Sequence, residues 1–161
     1  MTEQELIFSV ATRRISALRS LAGHALIHWI GLLGLTAAYL QGGAVKVTDF
    51  AGASAEMAHF GLAPPSVMAA LVIALELGAS AMILSGVGRW AGALALAGFT
   101  LMATLLANRY WELAGEARFL AANAFYEHLG LVGGFLMVAR WDLLRKDRAI
   151  LIGETAGPAP G

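Results

Sequence analysis

Four stretches of this chain, roughly residues 21–43, 66–86, 90–108 and 119–139, are each apolar over about the 20 residues that a helix needs to cross a hydrocarbon core. In lipid every backbone amide and carbonyl has to be satisfied within the segment itself, which leaves α-helices as the fold for such stretches. Composition agrees: 58% of the 161 residues are hydrophobic and 14% charged, where soluble domains carry about 25% charged residues. The sequence therefore reads as an all-α, integral membrane four-helix bundle whose first partner is the lipid bilayer. Residues 21–139 form the transmembrane domain, residues 1–20 a cytoplasmic N-terminal segment suited to an interfacial helix, and residues 140–161 a cytoplasmic C-terminal tail. There is no room for a second domain.

The few charges orient the chain. With both termini in the cytoplasm, that side holds Arg13, Arg14, Arg19, Arg89, Arg140, Arg145, Lys146 and Arg148, against Lys46, Arg109 and Arg118 outside, as the positive-inside rule prefers. Formal net charge is zero, so no basic field exists to hold nucleic acid. Cysteine is absent, which removes thiol relays and thiolate-ligated clusters; redox chemistry here needs a bound cofactor or a protein partner. Glu3, Glu5, Arg13 and Arg14 break up the compact apolar core of a secretory signal, so the first apolar segment is expected to stay attached.

Two of the apolar stretches each carry one glutamate at the same distance from an Arg-Trp pair: Glu76 before Arg89-Trp90, and Glu127 before Arg140-Trp141. A carboxylate in hydrocarbon costs roughly 2.5 to 3.5 kcal/mol at a helix centre, so each calls for a partner or a task. The repeated spacing, with Trp29-Ile-Gly31 matching Trp90-Ala-Gly92, also fits two duplicated helix hairpins related by an axis along the membrane normal. Glu76 is flanked by Gly78, Ala79, Ser80 and Ala81, small residues that let helices approach closely. Proton transfer or a hydrogen bond to a polar ligand is one reading of Glu76; a paired carboxylate that locks helix register is the other.

The fourth stretch holds the densest polar patch, Asn123, Tyr126, Glu127 and His128. Glu127 and His128 are candidate proton-handling groups, because imidazole titrates near physiological pH; neighbours on a helix diverge by about 100°, so only one of the two can face the interior. Lys46, Asn108 and Tyr126 are candidate ligand-orienting groups at the outer mouth. Lys46 is placed just beyond the first span, ahead of a short amphipathic interfacial helix over about residues 54–60 that Gly61 ends. His24 and His28 share a helix face and could offer two ligands to a metal or haem, but without a further ligand set they read as interfacial histidines. No metal site is assigned and haem is disfavoured. No phosphate loop, dinucleotide fingerprint or nucleophile elbow occurs.

Gly43-Ala-Val-Lys46-Val-Thr-Asp-Phe50, then Met57 and Gly61-Leu-Ala-Pro64, then Leu75-Glu76-Leu-Gly78 with Arg89, and finally Phe125 with Gly133-Gly134, together resemble the DoxX family of small four-helix bacterial membrane proteins. The resemblance implies a multi-pass protein of the bacterial inner membrane. It also implies a redox-linked subunit connected with quinone or sulfur metabolism or oxidative stress, with quinone as the cofactor to consider and a larger complex or a second copy as partner. Lys46 and Glu76 are the site residues it carries over. The chain departs from the family pattern at Asn108 and at Glu127-His128. Two other functions stay open: a non-catalytic accessory or assembly subunit, and a small proton-coupled carrier.

Overall fold

The computed structural model describes residues 25–155, with side chains described for residues 25–147. The N-terminal segment 1–20, the first residues of the first apolar stretch and the last six of the tail lie outside the described residues. Five helices follow in order: α1 Ala25–Thr48, α2 Phe50–His59, α3 Pro65–Ser85, α4 Arg89–Ala107 and α5 Gly115–Thr155, with a 3-10 turn at Tyr110–Glu112. The chain divides between Gly34 and Leu35 into two compact units. Of the first, the described part is the opening of α1, with Leu26, Ile27 and Ile30 exposed. Everything below concerns the second.

The boundaries of α3 and α4 lie within a residue or so of the apolar stretches. Pro64 and Pro65 open α3, where a missing amide hydrogen is tolerated because first-turn amides have no helical acceptor. The turn to α4 needs left-handed backbone, supplied by Gly86 at φ 82° and Gly88 at φ 63°. Two side chains close this turn. Arg89 Nε donates to the Ile83 carbonyl at 2.8 Å, placing a cation at the carbonyl end of α3, and Asp142 accepts from the Trp90 amide at 3.3 Å, placing an anion at the amide end of α4. Both complement the helix dipoles. Asp142 is held in turn by Lys146 at 3.4 Å.

Two elements depart from the sequence reading. Helix α1 runs on to Thr48 rather than ending near residue 43, because nothing from Gly43 to Thr48 breaks a helix; Lys46 is therefore a helical residue of the last turn. The short helix begins earlier than expected, at Phe50, where the Asp49 carboxylate caps it by accepting from the Gly52 amide at 2.9 Å. It ends at Gly61, which takes φ 71°, while the Leu62 amide returns to the Met57 carbonyl at 2.9 Å. This helix does not simply lie on a surface: Ala53 and Met57 are buried with Ala69 of α3, and Leu62, Met68 and Val72 pack around them.

Among the described residues three helices are long and apolar enough to cross a membrane, α1, α3 and α4 with its 3-10 extension. Helix α5 is more than long enough at 41 residues, about 60 Å at 1.5 Å per residue. It falls short on apolarity because Asn123, Glu127 and His128 interrupt its hydrophobic run and Asp142, Arg145 and Lys146 follow it. The repeated glutamate-to-tryptophan spacing also folds in two ways: Glu76 and Arg89 lie on different helices across the Gly86 turn, whereas Glu127 and Arg140 lie on one uninterrupted helix.

Helix α4 packs against α3 and α5, and α2 against α3. Burial is greatest at Ile83, Ala93, Leu96 and Phe135, all fully enclosed, while Leu71, Met102, Phe119, Leu120 and Met137 are more than half exposed. That inversion is what a lipid-facing surface requires. The α3–α4 crossing is tight: a Cβ on Gly92 would stand 2.7 Å from the Ala79 carbonyl oxygen and 2.9 Å from Met82 Cβ. Gly92→Ala should therefore force the helices apart and cost about 1–3 kcal/mol, read as a lower unfolding midpoint in mixed detergent micelles; an unchanged midpoint would mean that the crossing is not tight.

Candidate functional site

Tyr39, Gly42 and Lys46 recur every three or four residues along α1 and so share one face. That face meets α3 at Glu76. Lys46 Nζ lies 3.2 Å from both carboxylate oxygens of Glu76, and the two side chains are 17% and 7% exposed. The close approach depends on Gly43, and Gly42 borders the ion pair itself. A Cβ on Gly42 would sit 3.4 Å from Lys46 Nζ, and one on Gly43 would run into Leu77 at 2.6 Å.

The ion pair forms part of the wall of a cavity of about 280 Å³. Tyr39 and Gly42 of α1, Glu56, Met57 and Phe60 around α2, Val72 of α3, Phe99, Thr100 and Ala103 of α4, and His128 of α5 complete most of the lining. Polar atoms are thus few and fixed in an otherwise apolar chamber, as in most small-molecule sites. Tyr39 Oη and Thr100 Oγ1 are 2.5 Å apart, and the Tyr39 ring packs edge-on against Phe99 and Phe135. On the far wall, His128 Nδ1 is 2.6 Å from Thr104 Oγ1 and 3.1 Å from Asn108 Nδ2. A second cavity of about 330 Å³, lined by His59, Arg109, Glu112 and Leu113, shares Phe60, Leu106 and Ala107 with the first.

The structure brings together Lys46, Glu76 and His128 on this cavity, with Asn108 behind His128. Glu127 and Tyr126 are placed elsewhere. Both are exposed on the outside of α5, Tyr126 within an aromatic cluster with Tyr110 and Phe125 that Trp111 extends. Glu127 and His128 are adjacent on α5, and the 100° step between neighbours turns the carboxylate away. Sequence reasoning passed over Tyr39, Glu56, Thr100 and Thr104. Thr100, Thr104 and Asn108 stand four residues apart on an apolar helix, a polar stripe at helical spacing that could have marked this wall. Among the described residues no group of three potential metal ligands comes together.

A family model, DoxX, matches residues 30–109. The chain belongs to the DoxX family. The matched region supplies Tyr39, Lys46, Glu56, Glu76, Thr100, Thr104 and Asn108, and it stops before α5, so His128 is contributed from beyond it. No curated protein and no solved structure matched this DoxX-family chain.

Removing one partner of a buried ion pair leaves an uncompensated charge and costs about 3–5 kcal/mol, whereas replacing both by apolar groups is often neutral or better. Lys46→Met alone should therefore destabilise the protein strongly, and Lys46→Met with Glu76→Leu should restore the unfolding midpoint in mixed micelles. Additive losses in the double variant would show that the pair contributes no coupling.

Proposed function

We propose that this membrane protein is a four-helix, multi-pass protein of the bacterial inner membrane, with both termini cytoplasmic and α5 as the fourth span. In this reading it serves as a redox-linked subunit that seats the ring of a quinone, or of a similar apolar molecule with polar oxygens, beside Lys46 and Glu76. The observation that carries this reading is the coincidence of a buried, doubly hydrogen-bonded ion pair with an adjacent apolar cavity. A carboxylate kept only for helix register would be walled in by side chains; Glu76 instead forms part of a chamber wall.

The size and chemistry of the chamber support a ring-sized headgroup. Its volume of about 280 Å³ lies at the lower edge of the roughly 300–1,000 Å³ of small-molecule sites, enough for a ring whose tail stays in lipid. Bound there, a quinone would supply the two-electron chemistry that a chain without cysteine does not have. The ammonium of Lys46 and the imidazole of His128 orient oxygen atoms, Glu76 holds Lys46 in place, and Phe60, Val72 and Phe99 exclude water. Access runs through the second cavity between Phe60 and Leu106, at the end that the excess of basic residues elsewhere assigns to the outside. An accessory subunit with sealed seams would lack such a chamber, which favours the ligand-binding reading over the assembly role; electrons would pass to or from a partner protein in the same membrane.

The test is native mass spectrometry of the protein extracted with its lipids, followed by titration with a short-tailed benzoquinone. Ala103→Phe fills the chamber from α4 without touching the ion pair. It should weaken quinone binding at least about tenfold, the effect of 1.4 kcal/mol, at an unchanged unfolding midpoint. Equal binding by both proteins would place the ligand elsewhere, and no binding by either would remove the quinone reading.

A further inference from the structure

With the Asn108 amide presenting Nδ2 to the ring, the hydrogen bonds around His128 admit one self-consistent assignment of protons. Asn108 Nδ2 is a donor only, and it approaches both Thr104 Oγ1 at 3.2 Å and His128 Nδ1 at 3.1 Å. Thr104 Oγ1, accepting from Asn108, keeps its own proton for His128 Nδ1 at 2.6 Å. Two neighbours thus offer protons to the same ring nitrogen. Nδ1 must be bare, and the single proton of the neutral imidazole sits on Nε2. Thr104 is fully buried, so no water competes for that arrangement from its side.

The opposite wall can be counted in the same way. The Thr100 hydroxyl donates to the Leu96 carbonyl at 2.5 Å, so the short contact with Tyr39 is a hydrogen bond donated by the tyrosine. Tyr39 then has no proton left for the cavity. Glu76 brings acceptors that Lys46 already engages. The protons left for a guest come from Lys46 on α1 and from His128 on α5, two donors on different helices of one chamber.

We propose that His128 is held as a neutral, Nε2-protonated hydrogen-bond donor to the cavity, with Thr104 and Asn108 as the positioning residues that fix its tautomer, and that the chamber thereby selects guests carrying a carbonyl-type acceptor oxygen. The selectivity rests on the ligand-binding reading above, whereas the tautomer stands without it. His128 then does not take protons from a guest. Its Nδ1 is occupied and its Nε2 already carries a hydrogen, so its part is to orient and polarise an oxygen.

The experiment is nitrogen-15 NMR of the full chain with labelled histidine in lipid nanodiscs at pH 7, with the His128 signals assigned by their loss in His128→Gln. The expected spectrum has a protonated Nε2 coupled to the ring protons and a bare Nδ1. Thr104→Val, which keeps the shape and removes the hydroxyl, should give a mixture of tautomers. Addition of a short-tailed benzoquinone should move the Nε2 proton downfield, and His128→Phe should weaken that quinone roughly tenfold, the scale of one good hydrogen bond. A Nδ1-protonated ring, or an imidazolium at pH 7, overturns the proposal. So does bound quinone, detected independently by mass spectrometry, that leaves the Nε2 proton unmoved. If no quinone binds, the headgroup reading fails, and the wild-type and Thr104→Val spectra still decide for or against the fixed donor.

Discussion

The contact between Lys46 and Glu76 sets the terms for the elements around it. Each charge alone would be costly at this depth, and the two can share a site only if α1 and α3 approach closely there. Gly43 makes that approach possible, because a side chain there would run into Leu77. The pair also fixes how far α1 must extend. A helix that ended near residue 43 would leave Lys46 in a loop, free to swing into water, and Glu76 without a cation. Continuation to Thr48 places Nζ at 3.2 Å from both oxygens and leaves only Asp49 before α2 begins. That helix must then fold back on α3, where Met57 and Ala53 find their burial and where Phe60 and Glu56 come to line the chamber.

Across the chamber the polar groups follow a different logic. Thr100, Thr104 and Asn108 ride on one face of α4 and carry no formal charge, so their cost in an apolar setting is met by hydrogen bonds. Thr100 returns its proton to its own helix at Leu96, as threonines on membrane helices can do. Thr104 and Asn108 spend theirs on His128. An ion pair on one side and an uncharged hydrogen-bonded network on the other hold the polar atoms of the cavity in place, the condition under which a binding site would lose least on ordering its own groups. The first side lies wholly within the DoxX match and the second is completed by α5 outside it.

Much of this could be read in the sequence, and what could not has specific causes. The long apolar helices α1, α3 and α4 were legible from length and apolarity. Glu76 and His128 stood out as titratable residues within apolar stretches, whereas Lys46 was read as lying just beyond the first span and stood out as a ligand-orienting candidate and through the family resemblance. The end of α1 was not legible, because the apolar run fades near residue 43 although the helix continues; the role of Gly43 as a close-packing surface needs the partner helix to be known. Tyr39, Thr100 and Thr104 were missed for a related reason. Single hydroxyls are common in membrane helices, and only the four-residue recurrence on α4, combined with a facing tyrosine, separates a site wall from ordinary packing. The short helix was read as an amphipathic interfacial element over about residues 54–60, and the missing knowledge was that Ala69 leaves space for Ala53 and Met57 to be buried against α3.

Glu76 and Glu127 show why residue type and spacing alone could not name the site. Both are single acids in apolar helices, each at one distance from an Arg-Trp pair, yet Glu76 is enclosed with a lysine and Glu127 is exposed. The difference lies in which neighbour each helix presents inward. Once His128 is drawn to Thr104 and Asn108, the 100° step of the helix turns Glu127 outward. Asn108 is the C-cap of α4, and the rings of Tyr110, Trp111, Phe125 and Tyr126 gather at this end, as they do where hydrocarbon gives way to headgroups. Exposed on the outside of α5, the Glu127 carboxylate needs no enclosed cation. The burial of one glutamate and the exposure of the other thus follow from the same rule, that a charge in a membrane protein goes either to a partner or to the nearest water, and for Glu76 that partner is Lys46.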